Sequence, residues 1–483
     1  MHQIDLLIGN APAPAEGGRT FDRIDPLTGE VATRAAAASV ADGCAAVDAA
    51  AAALPSWAAL GPGARRAKLL TAAAALESEA DAFARTMIAE TGCTGHWGHF
   101  NVGLAANMMR EAAASTTRIT GDVIPTEVPD NLAMAIRQPR GVCLGIAPWN
   151  APVVLGVRAL AMPLACGNTV VLKASDICPA THRLIGACLA ESGLPEGVVN
   201  VVSVAPDDAP EVVAAMIAHR AVKHVNFTGS TEVGRAIAQT AARHLKPVLL
   251  ELGGKAPLVV LDDADLDEAV KAATFGAFAN QGQICMSTER VVVDERVADA
   301  FVERFVARAN GLSIGDPRKG GCILGAMVHD RAVARLAELL KDARAKGARI
   351  VAGGEAEGPL MGPTIVDQVT ADMRLYHEES FGPIAVIVRV DGDEQAISTA
   401  NDTEYGLSAA VFSKDLARGL AVARRIESGI CHINGPTVHD EPQMPFGGVK
   451  GSGYGRFGGQ AAIEAFTELR WITIQTGPRH YPF

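Results

Sequence analysis

The 483-residue sequence has no Cys-x-x-Cys pair, and its nine cysteines (Cys44, Cys93, Cys143, Cys166, Cys178, Cys188, Cys285, Cys322 and Cys431) stand singly, with no spacing suited to zinc. No metal site is therefore expected, and an odd, dispersed set of thiols fits a reducing, cytoplasmic setting. Eight of the nine are expected to be small buried apolar side chains. Excess positive charge is missing too: the formal net charge is -11, which removes the attraction behind most non-specific binding to nucleic acid or anionic membrane, and neither is expected as a partner. No apolar run reaches membrane-spanning length, and the short segment Met1 to Gly9, which carries Asp5, does not read as a secretory signal. Internal repeats, low-complexity tracts and long linkers are also lacking.

What is present is the balance of a folded protein, 49% hydrophobic and 20% charged, at a length that predicts two or three structural units. After turn chemistry at Asp25-Pro26-Leu27-Thr28-Gly29, the stretch from about Ser39 to Ser115 is rich in Ala, Leu and Glu at helical spacing. Short β-prone runs follow at Gly141–Ala147, Thr169–Leu172, Val199–Val204 and His224–Phe227, with a helical pattern over Ala209–His219. This alternation predicts a parallel sheet covered on both faces. The runs Pro247–Leu252 and Ala256–Leu261 flank Gly253-Gly254, and Leu266–Asn280 turns helical. A second α/β unit accounts for strands at Thr288–Val293 and Ile384–Val390 and helices at Val297–Asn310 and Ala332–Lys346. The tail from Ala465 to Thr476 reads as a strand whose edge needs pairing, so a partner subunit is expected.

Three segments carry chemistry on residue grounds. Gln281-Gly282-Gln283-Ile284-Cys285 places a cysteine in a polar turn just after a helix, where an exposed thiolate among amide donors is a good nucleophile towards a carbonyl; a buried cysteine is the plain alternative. Gly229-Ser230-Thr231-Glu232-Val233-Gly234 follows a strand and opens a helix, so its free amides suit a pyrophosphate. It is not the G-x-G-x-x-G fingerprint, and an ordinary helix cap is the alternative. Glu251 ends the apolar run Val248-Leu249-Leu250, surroundings that raise a carboxyl pKa when they bury it; a solvated glutamate at a strand end is the alternative.

The chain resembles the aldehyde dehydrogenase superfamily along nearly its whole length. The likeness rests on Pro148-Trp149-Asn150, Lys173-Ala174-Ser175-Asp176, Phe227-Thr228-Gly229-Ser230, Glu251-Leu252-Gly253-Gly254-Lys255, Gly282-Gln283-Ile284-Cys285 and Glu379-Ser380-Phe381-Gly382-Pro383, six motifs in family order. The resemblance implies an α/β fold with a Rossmann-type parallel-sheet cofactor domain (1–122 and 141–252), an α/β catalytic domain (253–445) and a small β oligomerisation element (123–140 and 460–483) of a homodimer or homotetramer. It implies that Cys285 attacks the aldehyde, that the Asn150 amide and the Cys285 N–H hold the oxyanion, and that Glu251 is the base that hydrolyses the thioester. Trp149, Lys173, Ser175, Asp176, Gly229, Ser230, Glu379 and Phe381 match cofactor-binding positions. A carboxylate at 176 repels a 2′-phosphate and so favours NAD. The family more often has Glu there, and the shorter Asp leaves NADP open.

The runs His432–Asp440 and Met444–Lys450, with the ending Leu469–Thr473 and Pro478–Pro482, are similar to the aromatic branch of that family, the salicylaldehyde and vanillin dehydrogenases. A planar aromatic aldehyde wants an apolar cleft with one or two polar groups. Trp97, Met108, Trp149, Phe446 and Arg158 are candidates for it, with core packing the alternative for the apolar ones; Arg158 meets either a ring hydroxyl or a surface carboxylate. Rival readings are a succinate-semialdehyde-type enzyme, a coenzyme A-acylating relative, against which Glu251 argues, and a non-catalytic protein on the same scaffold.

Overall fold

Runs of Val, Leu and Ile without polar alternation make strands buried on both faces. In the computed structural model, which describes residues 1–483, five such runs lie parallel: β1 (Val142–Ile146), β2 (Thr169–Lys173), β3 (Val199–Val202), β4 (Val222–Thr228) and β5 (Val248–Glu251). Their order is β5-β4-β1-β2-β3. Antiparallel strands complete an eight-stranded sheet, Gly453–Tyr454 beside β5 and Leu6–Ile8 with Ala11–Ala13 beside β3. The order reverses at β1: the chain steps outward to β2 and β3, then returns to lay β4 on β1's other flank. Such a reversal opens a crevice at the carboxyl ends of the strands.

A second, seven-stranded sheet begins at once. From β5 the chain passes through Gly253-Gly254 into β6 (Ala256–Val260), which pairs with β7 (Thr288–Asp294) and with β10 (Ser408–Phe412). The strands β8 (Thr364–Asp367), β9 (Ile384–Val390) and β11 (Ile430–Ile433) are also parallel to their neighbours, and Arg349–Ala352 forms an antiparallel edge. Each sheet packs its own apolar clusters.

The helical layer expected over Ser39–Ser115 is four helices, Val40–Ala58, Pro62–Ser78, Ala80–Thr91 and Gly95–Ser115. The punctuation is visible in the chain: Pro62 opens the second helix, Gly92 closes the third at φ +72°, and Thr94 caps the fourth through the N–H of Trp97. Helix α1 (Pro152–Ala165) is buried on every side, in keeping with a sequence that is apolar but for Arg158. No helix is long and apolar enough to cross a membrane.

Three expectations change. The tail strand runs Thr467–Gln475, because Ala465 and Phe466 finish a helix (Gly459–Phe466), and it pairs along its length with Asn131–Pro139 of the same chain. The helix read to Asn280 is α4 (Leu266–Phe278), ended by residues that leave right-handed geometry. Five of the eight remaining cysteines are buried, but Cys44, Cys322 and Cys431 are part-exposed. Cys431 lies on the edge strand β11, which has no neighbour on its outer side.

Candidate active site

Four successive loops of the eight-stranded sheet deliver side chains to its carboxyl edge. Trp149 and Asn150 lie between β1 and α1; Lys173 ends β2, with Ser175 and Asp176 just beyond; Gly229 and Ser230 lead from β4 into α3 (Thr231–Arg243); Glu251 ends β5. Ser230 caps α3 by accepting the Val233 N–H at 3.4 Å. The seven-stranded sheet faces this edge with the opposite ends of its strands, since Cys285 precedes β7 and Glu379 precedes β9.

The turn that carries Cys285 is strained and heavily braced. Asn280 and Gln281 hold positive φ angles of 48° and 56°, which non-glycine residues keep only when their surroundings over-determine them. Asn280 Nδ2 donates to the Asn150 carbonyl at 3.0 Å, Gln281 Nε2 to the Ala326 carbonyl at 2.9 Å, and Gln281 Oε1 accepts the Gly325 N–H at 3.1 Å. Gly254 is fixed by close approach, because a Cβ there would sit 2.3 Å from the Cys285 carbonyl oxygen.

Cys285 opens on a cavity of about 510 Å³ whose wall includes Asn150, Trp97, Phe100, Arg158 and Phe446. Trp97 Nε1 donates to the Asn150 carbonyl at 3.0 Å, so two donors pin that backbone while the side-chain amide makes no hydrogen bond within the chain. Met108 is not on this wall: His96, Trp97, Phe100 and Leu104 form the lining stripe of their helix, and Met108, one turn further, faces a smaller recess. Arg158 pairs with the buried carboxylate of Asp440, and its guanidinium lies 4.2 Å over the Phe446 ring. Trp149 meets Phe381 edge-on at 5.7 Å, which brings two of the expected cofactor positions together from opposite sides of the crevice.

Electrostatically the site differs from the expected exposed thiolate. Part of Cys285 opens on the cavity, yet surrounding protein desolvates the sulfur, and with the negative charge of Glu251 this drives the thiol pKa well up. Glu251 is wholly buried and does not itself line the cavity. Burial lifts its pKa to about 7, opposed by the charge of Arg158 and by the neighbouring Cys285 thiol. That thiol is near enough to favour the carboxylate, although neither Glu251 oxygen has a hydrogen-bond partner of good geometry. Burial and the nearby Glu289 raise Glu379 to about 8, although its Oε1 accepts the Gly254 N–H at 2.8 Å. Glu251, the poorly solvated base, is thus the natural acceptor for the thiol proton.

Sequence reasoning overlooked what holds the Glu379 loop. Lys255 Nζ donates at 2.7 Å both to Glu289 Oε2 and to the Glu378 carbonyl, and Glu289 Oε1 accepts the N–H groups of Ser380 and Phe381 at 2.9 and 3.0 Å. Both ionic side chains are buried. The signal was the pair Glu289-Arg290 inside an otherwise apolar strand run, charges that a buried strand carries only when they are partnered. Asp440 was likewise named in the sequence without a part to play.

The residues at this edge fit a dinucleotide. The Lys173 side chain is mostly buried and its ammonium makes no hydrogen bond within the chain, burial lowering its pKa against the pull of Asp176, and the amides at the start of α3 open onto the crevice. A thiol backed by a buried carboxylate faces the reversal point of a parallel sheet, an α/β arrangement suited to covalent chemistry on sulfur beside a nucleotide.

The chain belongs to the aldehyde dehydrogenase family, whose model matches residues 13–472. It is 62% identical over its full length, and the full length of the relative, to a vanillin dehydrogenase of a Pseudomonas species (strain HR199). A crystal structure of a salicylaldehyde dehydrogenase from Pseudomonas putida G7 complexed with salicylaldehyde matches at a TM-score of 0.98 and 51% identity, covering both chains completely. A betaine aldehyde dehydrogenase from Staphylococcus aureus in complex with NAD+ matches at a TM-score of 0.95 and 29% identity, over 99% of this chain and 96% of that one. The protein is an oxidoreductase acting on aldehydes, and its family uses nicotinamide dinucleotides.

Proposed function

We propose that the protein oxidises aromatic aldehydes to carboxylic acids with NAD, and that Cys285, Asn150 and Glu251 carry the reaction. The observation behind this is that Asn150 and Cys285 share the wall of a mostly apolar, aromatic-walled cavity, with the buried Glu251 carboxylate next to Cys285. The relatives named for vanillin, salicylaldehyde and benzaldehyde support the same substrate class.

Cys285 passes its proton to Glu251 as the sulfur attacks the carbonyl carbon, forming the C–S bond of a thiohemiacetal and moving the π electrons onto oxygen. The Asn150 side-chain amide and the Cys285 N–H stabilise that oxyanion. A bound nicotinamide would supply the hydride acceptor, and loss of hydride from the thiohemiacetal carbon as its oxyanion re-forms C=O leaves a thioester on Cys285. Glu251, having released its first proton to solvent, takes one from water as the water oxygen attacks the thioester carbon; the C–S bond breaks, the sulfur leaves as a thiolate that regains a proton from Glu251, and the carboxylic acid departs. Because Glu251 is closed off from the cavity, this step needs its carboxylate to turn towards the thioester. Lys173, Ser175 and Asp176 hold the adenosine ribose, Gly229 and Ser230 the pyrophosphate, and Glu379, Phe381 and Trp149 the nicotinamide end. The Asp176 carboxylate repels a 2′-phosphate and so favours NAD over NADP.

The division into a cofactor domain (1–122, 141–252), a catalytic domain (253–445) and oligomerisation strands (123–140, 460–483) belongs to this proposal, as do a homodimer or homotetramer and a cytoplasmic location. The exposed Val123, Leu469 and Trp471 on the three-stranded sheet support a subunit contact there. The test is turnover of salicylaldehyde, vanillin, benzaldehyde, a short aliphatic aldehyde and succinate semialdehyde with each cofactor. The aromatic aldehydes with NAD are expected to give the highest kcat/KM; turnover confined to succinate semialdehyde overturns the assignment.

A further inference from the structure

One buried side chain ties the Ser175 loop to the Asn150 loop, and no step above uses it. His182 lies on α2 (Pro179–Glu191) and is fully buried. Its Nδ1 accepts the Ser175 N–H at 3.0 Å, and its Nε2 lies 3.0 Å from the Pro152 carbonyl. Ser175 N is a donor and the Pro152 oxygen an acceptor, so the ring is the neutral Nε2–H tautomer, donating to Pro152. Burial agrees, pushing its pKa down to about 3. Pro152 is the first residue of α1, two positions after Asn150, and Ser175 stands between Lys173 and Asp176.

The packing makes room for this ring. A Cβ on Gly156 of α1 would come within 3.2 Å of His182 Cδ2 and 2.6 Å of Ile185 Cδ1, so α1 and α2 approach closely only because position 156 has no side chain. Cys178 Sγ packs 3.9 Å from the ring. The bond to Pro152 is additional to helix formation, since the carbonyls of a first helical turn already serve their own helix.

We propose that His182 is a positioning residue with two separable duties: its Nδ1 sets the loop expected to hold the adenosine ribose, and its Nε2–H sets the start of α1 and with it the Asn150 amide. This rests on the proposed roles of Lys173, Asp176 and Asn150. The amide side chains divide the duties. Asn at 182 places a carbonyl oxygen near Nδ1 and keeps the Ser175 contact, whereas Gln reaches the Nε2 position and keeps the Pro152 contact.

The experiment measures NAD affinity by equilibrium titration of the full-length protein, and kcat/KM for benzaldehyde at saturating NAD, in His182→Asn, His182→Gln and His182→Leu. His182→Asn is expected to bind NAD within about twofold of wild type but to lose about tenfold in kcat/KM, the scale of one buried hydrogen bond. His182→Gln is expected to show the reverse, weaker NAD binding by about tenfold with kcat/KM kept, and His182→Leu both losses. If the Asn and Gln variants melt earlier yet share one pattern in the two constants, or leave both unchanged, His182 is only a core residue and the proposal falls. Lys173→Ala and Asn150→Ala are the controls. If Lys173→Ala leaves NAD affinity intact, the cofactor placement is at fault, and the Pro152 duty is then judged on the loss of kcat/KM in His182→Asn alone.

Discussion

The two walls of the crevice are built differently. On the eight-stranded side, Asn150, Lys173, Gly229 and Glu251 sit at or just past the carboxyl ends of parallel strands, where short loops and one open helix start are enough to aim them. The seven-stranded side presents its amino ends, so Cys285 and Glu379 stand on the approaches to β7 and β9. There the chain relies on left-handed residues, Asn280, Gln281 and Phe381, and on the buried Lys255–Glu289 pair. The proposed nucleotide site is thus built on strand termini, whereas the proposed nucleophile stands on loops that need interior charge to stay in place.

The sharpest way to break this contrast is at the sulfur. Cys285→Ala is expected to lose at least about a thousandfold in oxidation rate, because no other nucleophile stands at the cavity end, while NAD binding measured by titration stays near wild type. Retained turnover would refute the division of labour. Next in size is Glu289→Ala, which leaves the Lys255 ammonium buried and unpaired; a stability loss of about 3–5 kcal/mol is expected in urea unfolding, with slower oxidation as the Glu379 loop loosens. A change below about 1 kcal/mol would mean that the loop holds itself.

Glu251→Gln separates chemistry from stability. Its pKa of about 7 in the fold exceeds the ordinary carboxyl value, so the folded protein holds this proton more tightly than the unfolded chain. The resulting stabilisation is complete below the ordinary carboxyl pKa and is lost as pH rises towards about 7. Wild type should therefore fall behind Glu251→Gln in melting temperature as pH climbs from 5 to 8, by an amount equivalent to about 2–3 kcal/mol. The same variant should keep a burst of reduced cofactor while steady turnover drops; a gap that does not depend on pH, or an absent burst, counts against the role. Smallest is Asp176→Ser, expected to raise the NADP-to-NAD ratio of kcat/KM by about tenfold, read from reduced-cofactor absorbance, with stability almost unchanged.

The chain spelled out most of the first wall. The strands at Gly141–Ala147, Thr169–Leu172 and Val199–Val204 stand within a few residues of where their apolar runs predict them, because runs bounded by Gly and Pro leave little freedom. The second wall was harder to see. Nothing local says that Asn280 and Gln281 turn left-handed, since that conformation is imposed by Asn150 and Ala326, both distant in sequence. Met108 was misplaced for a related reason: helical period gave its stripe but not where the cavity stops. The thiol's environment was missed because the desolvating neighbours, Glu251 among them, come from other strands.

The little strand Gly453–Tyr454 adds a requirement of timing. It bonds directly to the end of β5, pairing Glu251 with Gly453, while the neighbouring Ser452 hydroxyl donates to the Gly253 carbonyl at 2.6 Å. The proposed base is therefore seated by a segment that follows every other strand of both sheets in the chain. A nascent chain stopped between the Cys285 turn and Ser452 would own the thiol and the nucleotide crevice yet lack the clasp on its carboxylate, so competence waits for this strand to emerge and dock.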